Sequence, residues 1–164
     1  MRKGKATKID ESRREREAAA KPIDFGPLAT WVGFNLRMAQ EASFEAFSHR
    51  SAAIGENPGR FATLTLIARN AGISQTELSA ASGRDKSSLT PVVEDLVRRG
   101  LVERKRVASD RRTYRLNLTA AGRKTLALMT RAARKHERNL DCLIGPRDKK
   151  RFLETLKRIA AQIA

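Results

Sequence analysis

Residues 74–119 carry an apolar helical period, a glycine turn, a second helical period, and then two alternating stretches joined by a basic turn. With two amphipathic stretches following residue 119, this order predicts a mainly α fold with a small β-wing. The fold class is a winged helix-turn-helix with N- and C-terminal dimerisation helices. A formal net charge of +16 is the third observation, because so basic a surface calls for a polyanionic partner, nucleic acid first and an acidic membrane second. At 164 residues the chain suffices for one domain with appended helices.

Residues 1–22 hold eight Lys/Arg against four Asp/Glu and almost nothing apolar. They read as a flexible basic arm ending at Pro22, and both a contact to DNA phosphates and a solubilising tail fit that composition. Residues 23–56 form the N-terminal dimerisation and pocket segment. A long helix is expected from Phe25 or Leu28 to about Phe47, with Leu28, Val32, Leu36 and Ala39 on one face and Trp31, Phe34 and Met38 on its neighbour. Five of the six Phe and the single Trp fall between residues 25 and 61, in a stretch whose charges cancel. Core plus subunit interface is one reading of this clustering. A pocket for a flat apolar ligand is the other, with Trp31, Phe34, Met38, Phe44, Phe47 and Phe61 as walls and Asn35 and Arg37 among the polar groups that orient it.

Residues 57–119 are the expected DNA-binding domain. Asn57-Pro58 is an N-cap followed by Pro at the first helical position, opening a scaffold helix that turns Phe61, Leu64, Ile67 and Ala68 inward. Ser74 with Glu77 forms a capping box for a helix carrying Leu78 and Ala81 inward, and Ser82-Gly83 stops it. The second helix of the motif repeats Leu89, Val92, Val93, Leu96 and Val97 and ends at Gly100. Its cap is Asp85 or Ser87. Ser87 is preferred, because an Asp85 cap would put Pro91 in the second turn. Arg84, Lys86, Ser87, Ser88 and Thr90 crowd this N-terminal end, where a recognition helix meets base edges and phosphates in the major groove.

A hairpin follows. Val102, Arg104 and Arg106 alternate on the first strand, Tyr114, Leu116 and Leu118 point inward from the second, and Ala108-Ser109-Asp110-Arg111-Arg112 forms the tip. Adjacent Arg111 and Arg112 suit the negative potential of a narrow minor groove, with Asp110 as the acceptor that holds one of them in place. Arg104 and Arg106 add basic groups beside the wing. Residues 120–164, with twelve Lys/Arg against four Asp/Glu, give two C-terminal dimerisation helices. Thr119 caps the first, which carries Leu126, Met129, Ala133, Leu140, Leu143 and Ile144; Gly145-Pro146 interrupts; the second carries Phe152, Leu153, Leu156 and Ile159. No sheet is available to cover them, so a second subunit is the economical partner.

One cysteine, Cys142, rules out an intramolecular disulfide and reads as a plain small residue, and two histidines far apart make a zinc site unexpected. Nucleophile–base pairing, a Gly-rich phosphate loop and a metal cluster are all missing from the pattern, so neither an enzyme nor a resident cofactor is expected. Lacking an apolar run of membrane-spanning length or an apolar signal region, the chain is expected in the cytoplasm, with no membrane partner.

The chain resembles the MarR (multiple antibiotic resistance regulator) family of bacterial transcription factors over about residues 25–164. The resemblance is carried by Leu89-Thr90-Pro91-Val92-Val93-Glu94-Asp95-Leu96 ahead of Gly100-Leu101-Val102-Glu103-Arg104. The wing pattern D-x-R-x5-L-T, met by Asp110, Arg112, Leu118 and Thr119, and the opening Ala120-Ala121-Gly122 of the next helix complete it. It implies a homodimer with interlocked terminal helices that binds double-stranded DNA and that, in many members, releases it when a phenolic compound binds between the dimer region and the winged domain. It further implies recognition contacts at Lys86, Ser87, Ser88 and Thr90 and a minor-groove arginine at Arg112. The runs Val32-Gly33-Phe34-Asn35-Leu36-Arg37 and Pro58-Gly59-Arg60-Phe61 resemble the branch governing catabolism of hydroxycinnamates. That branch implies an aromatic acid or acyl-CoA effector, with Arg60 among its contacts.

Overall fold

The computed structural model describes residues 23–107 and 110–162, the side chains of residues 107–113 excepted. Among the described residues, six α-helices and three strands run α1 (Val32–Ser51), α2 (Pro58–Arg69), β1 (Ile73–Ser74), α3 (Gln75–Ser82), α4 (Lys86–Arg98), β2 (Val102–Val107), β3 (Asp110–Leu118), α5 (Ala120–Ile144) and α6 (Lys149–Gln162), with 3-10 turns at Gly26–Thr30 and Ala52–Ile54. The mainly α winged helix-turn-helix is present. The basic arm of residues 1–22 lies outside the described residues. The chain divides into two compact units at Ala39/Gln40, within α1.

In the first unit the single long helix expected from Phe25 or Leu28 is two pieces. Gly26 has φ +52° and is followed by Pro27, so a 3-10 turn forms first; Trp31 is then extended (φ −78°, ψ 127°), and α1 begins only at Val32. The Asn35 amide holds the break, donating to the carbonyls of Leu28, Ala29 and, at 2.8 Å, Trp31. Phe25 packs on Phe34 with ring centroids 5.7 Å apart.

The second unit has its core where the scaffold helix, the helix-turn-helix and the sheet meet. Leu64, Leu78, Leu89, Val93, Leu96 and Met129 are completely buried. Truncating any of these leucines to Ala costs ~2–5 kcal/mol. Asn57 caps α2 by accepting from Arg60 N at 2.9 Å, and the Ser74/Glu77 capping box closes on both sides. Two expected core positions differ. Ala68 and Ala81 are exposed, and Thr63 and Ser79 are buried in the same helices. Their hydroxyls are satisfied locally, Thr63 donating to Gly59 O and Ser79 to Arg84 O, so polar side chains fit there without loss.

The sheet order is β1-β3-β2, antiparallel throughout; the two-residue β1, pairing Ile73 with Leu116, has no counterpart in the sequence reading. Val102 opposes Leu118 and Arg104 opposes Leu116, with Val102, Leu116 and Leu118 buried. Tyr114, expected inward, is 39% exposed, because by Arg106 the ladder has run past the core and the two face each other as a cation–π pair. Asp110 pairs with Val107 and begins β3, so residues 110–112, expected in the tip, are strand. At the other end Thr119 accepts from Gly122 N and donates to Gly100 O. A Cβ on Gly122 would stand 2.0 Å from Leu101 O, so α5 leaves the sheet at a contact only glycine permits.

Helix α5 buries Met129, Ala133 and His136; of the expected stripe, Leu126, Leu140 and Ile144 are only half-buried and Leu143 is 83% exposed. Leu128, Phe152 and Leu153 add to this apolar surface. Among the described residues no helix is long and apolar enough to cross a membrane.

Candidate functional site

The exposed start of α4 is organised by Asp85. Its carboxylate accepts from Ser88 N at 2.8 Å, from Ser88 Oγ at 3.0 Å and from Ser87 Oγ at 2.5 Å, so Asp85 is the N-cap and the preference for Ser87 is corrected. Three donors on one carboxylate outweigh the backbone bond lost at Pro91, which sits inside the helix. The Ser87 hydroxyl, the Ser88 amide and the Ser88 hydroxyl together hold the Asp85 carboxyl down to about 2.

Lys86, Ser87 and Ser88 are exposed around that cap. Thr90 is half-buried; its hydroxyl donates to Lys86 O and accepts from Gln75 Nε2, both at 2.7 Å, tying α3 to α4. Arg84 lies in the turn, its guanidinium over Gly59, where a Cβ would come within 2.5 Å of it. Arg104 and Arg106 are exposed on β2, Arg106 over the Tyr114 ring at 5.7 Å. The side chains of Asp110, Arg111 and Arg112 lie outside the described residues. Arg115, which the sequence reading passed over, extends this basic edge and reaches Gly72 O and Glu77.

At the far end of α4 stands an ion cluster. The Glu56 carboxylate, wholly buried, is 2.5 Å from Arg99 and 3.8 Å from Arg60; Arg60 in turn is 2.6 Å from Asp95, which also pairs with Arg98 and, at 3.6 Å, with Arg99. Burial raises the Asp95 carboxyl, but the Arg98 hydrogen bond and the charges of Arg60, Arg98 and Arg99 outweigh it, leaving it below its ordinary value. The hydrogen bond to Glu56 raises Arg99 against its own desolvation. Arg60 is therefore turned toward carboxylates. The cluster ties α2, and Glu56 two residues ahead of it, to the C-terminal half of α4 and its cap.

Between α1, α2 and α5 lies a cavity of about 250 Å³ lined by Gln40, Ser43, Phe44, Phe47, Pro58, Phe61, Ala133, His136 and Glu137. It brings together Phe44, Phe47 and Phe61 of the expected aromatic walls. Phe47 packs on Phe61 with centroids 5.6 Å apart and meets the His136 ring edge-on at 5.7 Å. Trp31, Phe34, Asn35, Arg37 and Met38 belong to the first unit. Ser43 and His136, joined at 2.9 Å, were missed. Their signal was positional: Gln40, Ser43 and Phe47 share one helical face, as do Ala133, His136 and Glu137. A larger hollow of about 520 Å³, bounded by Asn70, Gly72, Glu77 and Arg115, is an open surface groove without an aromatic wall, and the smaller cavity is the better fit to an apolar ligand. Cys142 is exposed and away from both.

The MarR family model matches residues 57–114, from the scaffold helix into the wing. A putative transcriptional regulatory protein for the hcr operon of Thauera aromatica is 33% identical over 138 residues, 84% of this chain and 83% of that protein. Among solved structures, the transcriptional repressor CouR bound to a 23-mer DNA duplex superposes with a TM-score of 0.78 at 35% identity, covering 85% of this chain and 99% of that one. CouR bound to p-coumaroyl-CoA also gives 0.78, at 32% identity over 86% and 99% of the two chains.

Proposed function

The chain belongs to the MarR family of transcriptional regulators, and from that premise we propose that it is a repressor that binds a pseudo-palindromic operator as a homodimer and leaves it when an aromatic acid or its acyl-CoA thioester fills the α1–α2–α5 cavity. One observation carries the reading. Helix α2 presents Pro58 and Phe61 to the aromatic cavity and, from the residue between Gly59 and Phe61, an arginine to Asp95 of the recognition helix. A ligand pressing on Phe61 therefore acts on the element that holds α4.

The exposed apolar side chains Leu128, Leu143, Phe152 and Leu153 support the homodimer, since a second copy is the cover they need. Two winged units on one duplex face would set their recognition helices about 34–36 Å apart, in successive major grooves. Most binding energy would come from phosphates, with Lys86, Ser88 and Thr90 supplying sequence choice and Arg112 reading groove width. The similarity to CouR, whose structures carry DNA and p-coumaroyl-CoA, favours a hydroxycinnamoyl thioester as effector. Beyond the 250 Å³ of the cavity, the phosphates of such a thioester would need arginine and lysine outside it.

Footprinting upstream of the chain's own gene tests this. The expected result is one protected palindrome, whose protection p-coumaroyl-CoA removes. The net charge of +16 supports one rival, a nonspecific basic architectural protein. Uniform protection of random duplexes, indifferent to every thioester, would establish that rival.

A further inference from the structure

Ser43 and His136 meet in the wall of the aromatic cavity, Oγ to Nε2 at 2.9 Å. His136 is only 6% exposed, and its Nδ1 has no hydrogen-bond partner among the described residues. That orphan fixes the direction of the bond. Were Ser43 to donate to Nε2, the ring N–H would sit on Nδ1, buried and unpaired. With the proton on Nε2, the ring donates to Ser43 and only a lone pair is left without a partner. A buried unpaired N–H is the rarer of the two, so the proton belongs on Nε2. Ser43 Oγ accepts, and its own hydrogen is available to another oxygen.

Elsewhere in these helices hydroxyls return that hydrogen to the carbonyl four residues back, as Ser51 does to Phe47, Thr65 to Phe61 and Thr130 to Leu126. Among the described residues Ser43 bonds to His136 instead. We infer that Ser43, oriented by His136, is the specificity-determining hydrogen-bond donor of the cavity and reads an oxygen on the ring of a hydroxylated aromatic acid. The inference rests on the effector reading above. A cavity of about 250 Å³ takes an aromatic acid but not a coenzyme A nucleotide, so the thioester end stays outside and the ring enters first. Phe44, Phe47, Phe61, Pro58 and Ala133 supply apolar contact without choosing among ring substituents, and Gln40 and Glu137 are exposed. Choice falls to the dyad. His136 acts as a positioning residue: it fixes the Ser43 hydroxyl, which would otherwise rotate back onto its own helix.

The test is calorimetry on the full chain with p-coumaroyl-CoA and with cinnamoyl-CoA, which lacks the ring oxygen. Wild type is expected to prefer p-coumaroyl-CoA by about tenfold, the scale of one oriented hydrogen bond. Ser43→Ala and His136→Phe should bring the two thioesters within about twofold of each other, and Ser43→Thr should restore the preference. The ratio is taken within each variant, so a smaller folded fraction cancels. Wild type giving no heat with either thioester or the free acids overturns the effector reading. Heat with no wild-type preference, with a preference that survives Ser43→Ala, or with equal loss of both thioesters in that variant overturns the dyad alone.

Discussion

Glu56 Oε1 lies 2.5 Å from an Arg99 guanidinium nitrogen with the Glu56 side chain wholly buried, so Glu56, two residues ahead of α2, is pinned to the C-cap of α4. The pair stands beside the Arg60–Asp95 contact at 2.6 Å, which joins α2, the helix that lines the cavity, to α4.

Arg99→Ala should expose what that pinning is worth. Among the described residues, it leaves a buried carboxylate with only Arg60 near it, at 3.8 Å. Breaking a fully buried pair costs ~3–5 kcal/mol; with the Arg99 side chain 34% exposed, ~2–4 kcal/mol is expected. Glu56→Gln removes the charge that needs a partner and should cost less. Urea unfolding of the two variants measures the difference, and equal losses would contradict the assignment.

Acid should act on α4 through Asp85. A folded pKa of about 2, against an ordinary 3.8, means that its contribution to stability is present above about pH 4 and fades as pH falls toward 2. Thermal unfolding of wild type and Asp85→Ala between pH 6 and pH 2 should show a gap that narrows over that window. Asp85→Ser, which keeps an acceptor at the cap, should recover part of the stability at neutral pH and show no such window. A gap independent of pH would contradict the capping role.

The wing supplies a separate prediction. Arg112→Ala should weaken operator binding by about tenfold or more in a gel-shift titration, with the circular dichroism spectrum unchanged, because a groove arginine contributes affinity rather than fold. Unchanged affinity would remove the wing contact.

Local chemistry made much of this fold legible in advance. The Ser74–Glu77 box, the Asn57-Pro58 cap and the glycine stops at Gly83 and Gly100 each depend on residues within a few positions, and each stands where its residues put it. Asp85 rather than Ser87 caps α4 because three donors converge on its carboxylate, a gain that the cost of Pro91 alone does not reveal. Helix α1 starts later than its apolar pattern suggests because the Asn35 amide, which holds the break at Trp31, acts back across the turn rather than forward along the helix. Within the cavity, the aromatic residues stood out by composition. Ser43 and His136 are 93 positions apart, and only the packing of α5 on α1 and α2 brings them together. The pairing of Arg60 with Asp95, 35 positions along the chain, is likewise made by the fold, which brings α2 to α4.

Filling the cavity is expected to release DNA. Fluorescence anisotropy of a labelled operator duplex, at fixed protein and salt, with p-coumaroyl-CoA titrated in, tests it most directly. A ligand that favours the DNA-free arrangement must bind it more tightly than the DNA-bound one, by the same factor that it weakens the operator. The expected result is a fall in operator affinity of about tenfold or more that saturates at the thioester's own binding midpoint. Operator affinity unchanged at saturating thioester, with the thioester demonstrably bound, would contradict it.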